Sequence, residues 1–322
     1  MIVPTKSEPL LVADPGRPAT LGGMPKVCVW GGVEAAALAP LPDGVSLTVG
    51  DGTGPLPRDV EFLVPAYPGG AMPDLADLPQ LKVVQLLSAG VEGWPERVPA
   101  NVLLCNGRGI HGASTAEQAV AGLLAVLRDL PRSLRQQEAH EWQRYPRESL
   151  DGKRVLLLGA GDVASYVERA VEVFGASTVR VARRPRAGVH GLAELPDLLP
   201  DTDIVVAALP DTAATRHLVD AAFLARLPDG AVVVNVGRGT LVDTDALLAE
   251  LTAKRLRAFL DVVDPEPLPA DHPLWSAPNV LLTPHVGGGA GGWERRAAKL
   301  VREQIERFVR GEPLINLVSS GY

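Results

Sequence analysis

The chain has 322 residues, 46% of them hydrophobic and 21% charged, with a net charge of -7 at neutral pH and two cysteines. The length exceeds a usual single core and predicts two domains, and the composition excludes a wholly disordered chain. The acidic balance removes the footprint of a nucleic-acid binder and points to small-molecule partners, while Cys28 and Cys105, each in an apolar stretch, support neither a disulfide framework nor a metal site.

Residues 1–23 carry four charged residues and four prolines, and their longest apolar run is 10–13. A secretory signal or membrane span needs a longer run, so this stretch is expected to be a mobile leader, or the product of a start assigned too early before Met24, on a cytoplasmic protein that makes no membrane contact. Beyond Met24, apolar runs at 27–30, 62–64, 83–87 and 102–104 alternate with Pro and Gly clusters, the pattern of buried parallel strands. The spans 32–39 and 73–78 have room for short crossover helices, giving a small doubly wound α/β unit. Residues 115–130 place Ala119, Val120, Leu123, Leu124, Val126, Leu127 and Leu130 at helical spacing, and Pro131 is expected to end that helix. The charged stretch 132–148, with Trp142 and Tyr145, reads either as an arm across a surface or partner subunit or as a solvated connector.

A second series of runs follows at 155–158, 178–181, 204–208, 231–235, 259–262 and 280–282. Six strands separated by helical segments suggest a full dinucleotide-binding sheet. A last helix over 294–310 stops at Gly311 and Pro313 and is long enough to return to the first domain. The predicted fold class is α/β with two doubly wound parallel sheets: a Rossmann dinucleotide-binding domain over 115–289, inserted into a discontinuous flavodoxin-like substrate domain made of 24–114 and 290–322.

Gly159-Ala160-Gly161-Asp162-Val163-Ala164 follows the first strand of this series and opens a helix, the context a dinucleotide site requires. A Cβ at Gly159 or Gly161 would hold a diphosphate away from the helix N-terminal amides, whose dipole favours the anion. Asp162 would repel that diphosphate unless its side chain turns away or caps the helix. At the end of the next strand, where a carboxylate would hold the ribose hydroxyls of NAD, the chain reads Val181-Ala182-Arg183-Arg184-Pro185-Arg186. Guanidinium groups suit a 2′-phosphate, so NADP is expected in preference to NAD; the alternative is a solvated basic loop.

Three further segments stand just past apolar runs: Asn235-Val236-Gly237-Arg238-Gly239-Thr240-Leu241-Val242-Asp243, Asp261-Val262-Val263-Asp264-Pro265-Glu266-Pro267-Leu268 and Thr283-Pro284-His285. Together with residues 155–164 they resemble the D-isomer-specific 2-hydroxyacid dehydrogenases, over about residues 26–320. The resemblance implies Arg238 as the substrate arginine, Glu266 as the catalytic carboxylate and His285 as the acid/base. The chemistry agrees, since reducing a 2-oxo acid needs a cation at the carboxylate and carbonyl, a hydride donor, and a proton for the developing alkoxide. Glu266 would orient the imidazole and favour its protonated form, so that reduction gains at lower pH.

The same resemblance implies Thr115, Val163, Leu209, Pro210, Val236, Gly237, Gly287 and His285 itself along the coenzyme, with Asp162 among them, and Ser88, Ala89, Gly90 and Arg108 at the substrate. It places Asp261 by the nicotinamide carboxamide; a strand-end cap is the alternative. His111, His140, His190, His217 and His272 are assigned to surface or local packing. The helix over 115–130 and the arm after it resemble the family's dimer contact, implying a homodimer. The expected substrate is a small 2-oxo acid such as glyoxylate or hydroxypyruvate. One alternative is a corepressor-like binding protein on the same fold and cofactor. Another is a phosphoglycerate dehydrogenase-type enzyme, although no regulatory domain is read after residue 322. Glu266, standing where formate enzymes carry glutamine, disfavours a formate dehydrogenase.

Overall fold

The structure, a computed structural model, describes residues 23–67 and 74–318; the leader expected over 1–23 lies outside them but for Gly23. The chain divides into two compact units, one running to Ile110 and resuming at Glu294, the other covering His111–Trp293.

The first unit holds β1 (Lys26–Val29), α1 (Ala35–Leu38), β2 (Ser46–Val49), β3 (Phe62–Val64), β4 (Val83–Gln85) and β5 (Leu103–Cys105). All five strands are parallel in the order β2-β1-β3-β4-β5, the flavodoxin-like order. Both β3 and β4 are buried throughout, which is why they read as unbroken apolar runs. The edge strand β2 was not predicted; it is only half-buried at best and its residues mix polar and apolar. The helix expected over 73–78 is absent from its described part, residues 74–78. Asp74 Oδ1 accepts the Ala76 N–H at 3.0 Å, a local turn that competes with a helical start. Burial pushes the thiols of Cys28 and Cys105 up to about 11 and about 12, so both remain protonated and inert at neutral pH.

The second unit contains α2 (Gly112–Leu127), α3 (Leu130–Glu138), β6 (Arg154–Leu158), α4 (Asp162–Glu172), β7 (Ser177–Ala182), β8 (His190–Gly191), α5 (Leu195–Leu198), β9 (Ile204–Ala207), α6 (Ala221–Leu224), β10 (Val232–Asn235), α7 (Thr244–Thr252), β11 (Arg257–Leu260) and β12 (Val280–Leu282). Its sheet runs β12-β11-β10-β9-β6-β7-β8, all parallel, and the chain order reverses between β6 and β9, where doubly wound sheets bind ligands. Alternate residues feed two cores: Leu156, Leu158, Val205, Ala207 and Val233 on one face, Val155, Leu157, Ile204, Val206 and Val232 on the other. Leu158 pairs with Ala207, Ala207 with Asn235, Asn235 with Leu260 and Leu260 with Leu282, so five strands end on one row.

Two expectations change, at the end of β11 and at Pro131. The strand predicted over 259–262 is β11, which leaves Asp261 just beyond it. Pro131 opens α3 rather than merely closing α2, because a proline in a first turn lacks only an N–H that would have had no helical partner. Tyr145 donates to the Asp129 carbonyl at 3.0 Å and meets Ser133 Oγ at 2.5 Å, which folds the arm back onto α3 while Trp142 stays 96% exposed. Within α2, a Cβ on Gly122 would overlap the Phe259 ring, so the helix lies close against β11. The last helix, α8 (Trp293–Arg310), packs Phe308 on Phe62 and donates from Gln304 Nε2 to Gln85 Oε1 at 2.7 Å in the first unit. Among the described residues, no helix is long and apolar enough to cross a membrane.

Candidate active site

The end of β6 leads into Gly159, whose φ of +131° suits a residue without Cβ. A Cβ there would also press on the Ala208 carbonyl at 3.0 Å, so the turn runs against the end of β9. At Gly161 nothing lies within 4 Å of where a Cβ would point, leaving the first turn of α4 open to a diphosphate. Asp162 Oδ1 accepts its neighbour Val163 N–H at 3.0 Å, and the carboxylate lies where a Cβ on Gly112, at the start of α2, would stand. The N-terminal pole of α2 favours that charge.

Beyond β7, Arg183 and Arg184 are exposed, and no carboxylate occurs from Val181 to Val189. Arg186 reaches back to donate to the Ala160 carbonyl at 3.3 Å, tying the basic loop to the glycine turn. Past β9, Leu209 is buried and the Pro210 carbonyl accepts Thr215 Oγ1 at 2.6 Å. A dinucleotide carrying a 2′-phosphate would fit the open helix N-terminus at Gly161 and the exposed guanidinium groups after β7.

The last residue of β10, Asn235, is fully buried and builds the next turn. Its Nδ2 donates to the Arg238 carbonyl at 2.9 Å and its Oδ1 accepts the Gly237 N–H at 3.1 Å. Gly237 approaches the Leu209 carbonyl and Gly239 the Val263 carbonyl so closely that neither tolerates a Cβ. Val236 is buried and half-buried Arg238 sits at the crest.

His285 follows β12 with φ +53°, in the left-handed region. Its N–H donates to the carbonyls of Asp261 at 2.8 Å and Thr283 at 3.0 Å. Its Nδ1 lies 2.5 Å from Glu266 Oε1, both side chains being partly open to solvent, while Nε2 has no hydrogen-bond partner among the described residues. Asp261 is 2% exposed, and its carboxylate is taken up inside this loop. Oδ1 accepts Thr283 Oγ1 at 2.5 Å and Val286 N–H at 3.1 Å, and Oδ2 accepts Gly287 N–H at 2.9 Å. With these bonds Asp261 fixes the segment that carries His285.

The sequence reading missed a polar stripe on α2. His111, Ser114 and Gln118, spaced i, i+3, i+7 on one helix face, all meet the His285 loop. His111 Nδ1 lies 2.9 Å from the Gly288 carbonyl, Ser114 Oγ 3.4 Å from the same oxygen, and Gln118 Nε2 donates to Thr283 Oγ1 at 3.1 Å. Polar residues at i, i+3 and i+7 at the start of a helix whose later turns are apolar were the available signal. Thr115, expected at the nicotinamide, is half-buried beside it. In the first unit, Asn106 joins the loops after β4 and β5: its Nδ2 donates to the Ala89 carbonyl at 3.1 Å, and its Oδ1 accepts the Arg108 N–H at 3.2 Å. Ser88 Oγ donates to the Gly90 carbonyl at 2.7 Å, and the Arg108 side chain is exposed.

A family model described as D-isomer specific 2-hydroxyacid dehydrogenase, NAD binding domain, matches residues 120–287. The glyoxylate/hydroxypyruvate reductase A of Klebsiella pneumoniae is 34% identical over 250 residues, 73% of this chain and 79% of its own. The D-3-phosphoglycerate dehydrogenase of Mycobacterium tuberculosis is 33% identical over 258 residues; the alignment takes in 77% of this chain and 48% of that protein, so the chain spans about half its length. A solved D-isomer specific 2-hydroxyacid dehydrogenase from Xanthobacter autotrophicus, in complex with NADPH and MES, is 32% identical with a TM-score of 0.79, covering 92% of this chain and 98% of that one.

Proposed function

The chain belongs to the D-isomer specific 2-hydroxyacid dehydrogenase family, and from that premise we propose that it reduces a small 2-oxo acid, such as glyoxylate or hydroxypyruvate, with NADPH in preference to NADH. The observation that carries this reading is the 2.5 Å contact of His285 Nδ1 with Glu266, which leaves Nε2 to face a substrate. Arg238 pairs with the substrate carboxylate and polarises the keto oxygen through charge-assisted hydrogen bonds. Glu266 orients the imidazole and stabilises its cationic form; His285 then passes the Nε2 proton to the developing alkoxide. When bound, the coenzyme supplies hydride to the carbonyl carbon. Gly159 and Gly161 admit its diphosphate to the amides of α4, and Arg183 and Arg184 take the 2′-phosphate.

A spectrophotometric screen of 2-oxo acids with both coenzymes tests the proposal. NADPH should give a kcat/KM at least about tenfold above NADH, and Arg183→Ala with Arg184→Ala should bring the ratio near one, a loss of about 1.4 kcal/mol of discrimination. Equal rates with both coenzymes in the wild type would refute the preference. No turnover across the panel would refute the enzyme and favour a protein-binding role. The same reading makes the enzyme a homodimer, supported by exposed Leu130 and Leu134 on α3 and exposed Trp142 after it; sedimentation at the monomer mass would contradict it.

A further inference from the structure

The left-handed backbone at His285 is sparsely populated by residues that carry a Cβ, so its surroundings must hold it. On the N-terminal flank, Thr283 has one hydroxyl proton and two lone pairs to distribute. Gln118 Nε2 donates into one lone pair at 3.1 Å, which leaves the proton for Asp261 Oδ1 at 2.5 Å. Donation runs one way, from amide to hydroxyl to carboxylate, and each bond polarises the next. On the C-terminal flank, a Cβ at Gly287 would stand 3.2 Å from Gln118 Cβ, so the glutamine stem borders that residue too. One side chain thus bonds the loop two residues before the histidine and lies beside it two residues after. Gly122, one helical turn further along α2, seats the helix on Phe259 of β11, the strand that delivers Asp261.

We propose that Gln118 is a positioning residue for His285, acting by fixing the Thr283 hydroxyl proton on Asp261; this rests on the acid/base role proposed for His285. The nearly isosteric Gln118→Glu variant is the test, because at neutral pH its carboxylate only accepts and competes with Asp261 for the single Thr283 proton. Its kcat should fall about tenfold, with KM and coenzyme Kd within about twofold. As pH falls through the carboxyl range, the ratio of variant to wild-type kcat should recover, since a protonated carboxyl donates to Thr283 as the amide does. Asp261, Glu266, His285, His111 and Asp162 are common to both proteins, so the ratio reads what the new carboxylate adds to them.

Thr283→Val removes the hydroxyl, and adding Gln118→Glu to it should cost nothing more. A deficit that is independent of pH, or additive with Thr283→Val, overturns the proposal. Should Gln118→Glu not fold, Gln118→Leu should lose about threefold in kcat without recovery at low pH, and an unchanged kcat would overturn the idea. Ring-nitrogen NMR signals of His285, recorded without coenzyme, should broaden or average in Gln118→Glu; unchanged signals count against positioning. If the wild type reduces no 2-oxo acid, the proposed function fails while this signal still decides the role of Gln118.

Discussion

Replacing His285 with glutamine is expected to lower kcat by about a hundred- to ten-thousand-fold, the usual contribution of a positioned general acid, while coenzyme Kd stays within about twofold. Glutamine offers a hydrogen bond but no transferable proton. The loop should survive the change, because it is held by backbone and neighbouring groups: the residue-285 N–H on the Asp261 carbonyl, and Thr283, Val286 and Gly287 on the Asp261 carboxylate. A variant that keeps more than about a tenth of wild-type kcat would move the proton donor elsewhere. Glu266→Gln keeps a hydrogen bond at Nδ1 but removes the charge, so kcat/KM should fall by about tenfold; an unchanged value would deny Glu266 its part.

Arg238→Met should lower kcat/KM by about a thousandfold, on the order of 4 kcal/mol of transition-state binding. Arg238→Lys should fall between the two, because an ammonium keeps the charge but loses the fork that matches a carboxylate. The turn itself does not depend on the guanidinium. It is built by the Asn235 side chain and by the close fit of Gly239 against Val263, so the loss should appear in kinetics with little change in Tm. A thermal shift that accounts for the whole loss would assign Arg238 to structure instead.

Much of this architecture was legible in the sequence because parallel strands buried on both faces write themselves as continuous apolar runs. Arg238 and His285 stood out because each comes within three residues of the end of such a run, whereas Asp261 read as part of one. The edge strand β2 did not, since a half-exposed strand carries no such signature. The segment at 73–78 was expected to be helical because it has room for a crossover helix, and length alone does not show what Asp74 does to the backbone. The part of Asp261 was half-legible: sequence shows an acid at a strand end, but the identity of its donors is a matter of fold. Gln118 and His111 were the least legible, because their partners lie 165 and 177 residues away.

The common row on which β6, β9, β10, β11 and β12 end makes the sheet a ruler for the site. Neighbouring strands stand roughly 4.8 Å apart, so the offsets from the glycine turn to Arg238 and on to His285 are counted in strands. Loops leaving that edge can lengthen without altering the count. A single residue inserted into β10, by contrast, would turn Asn235 to the opposite face and take the brace under Arg238 with it. Inherited length variation in proteins built this way should therefore gather in the loops and stop abruptly at the strand ends.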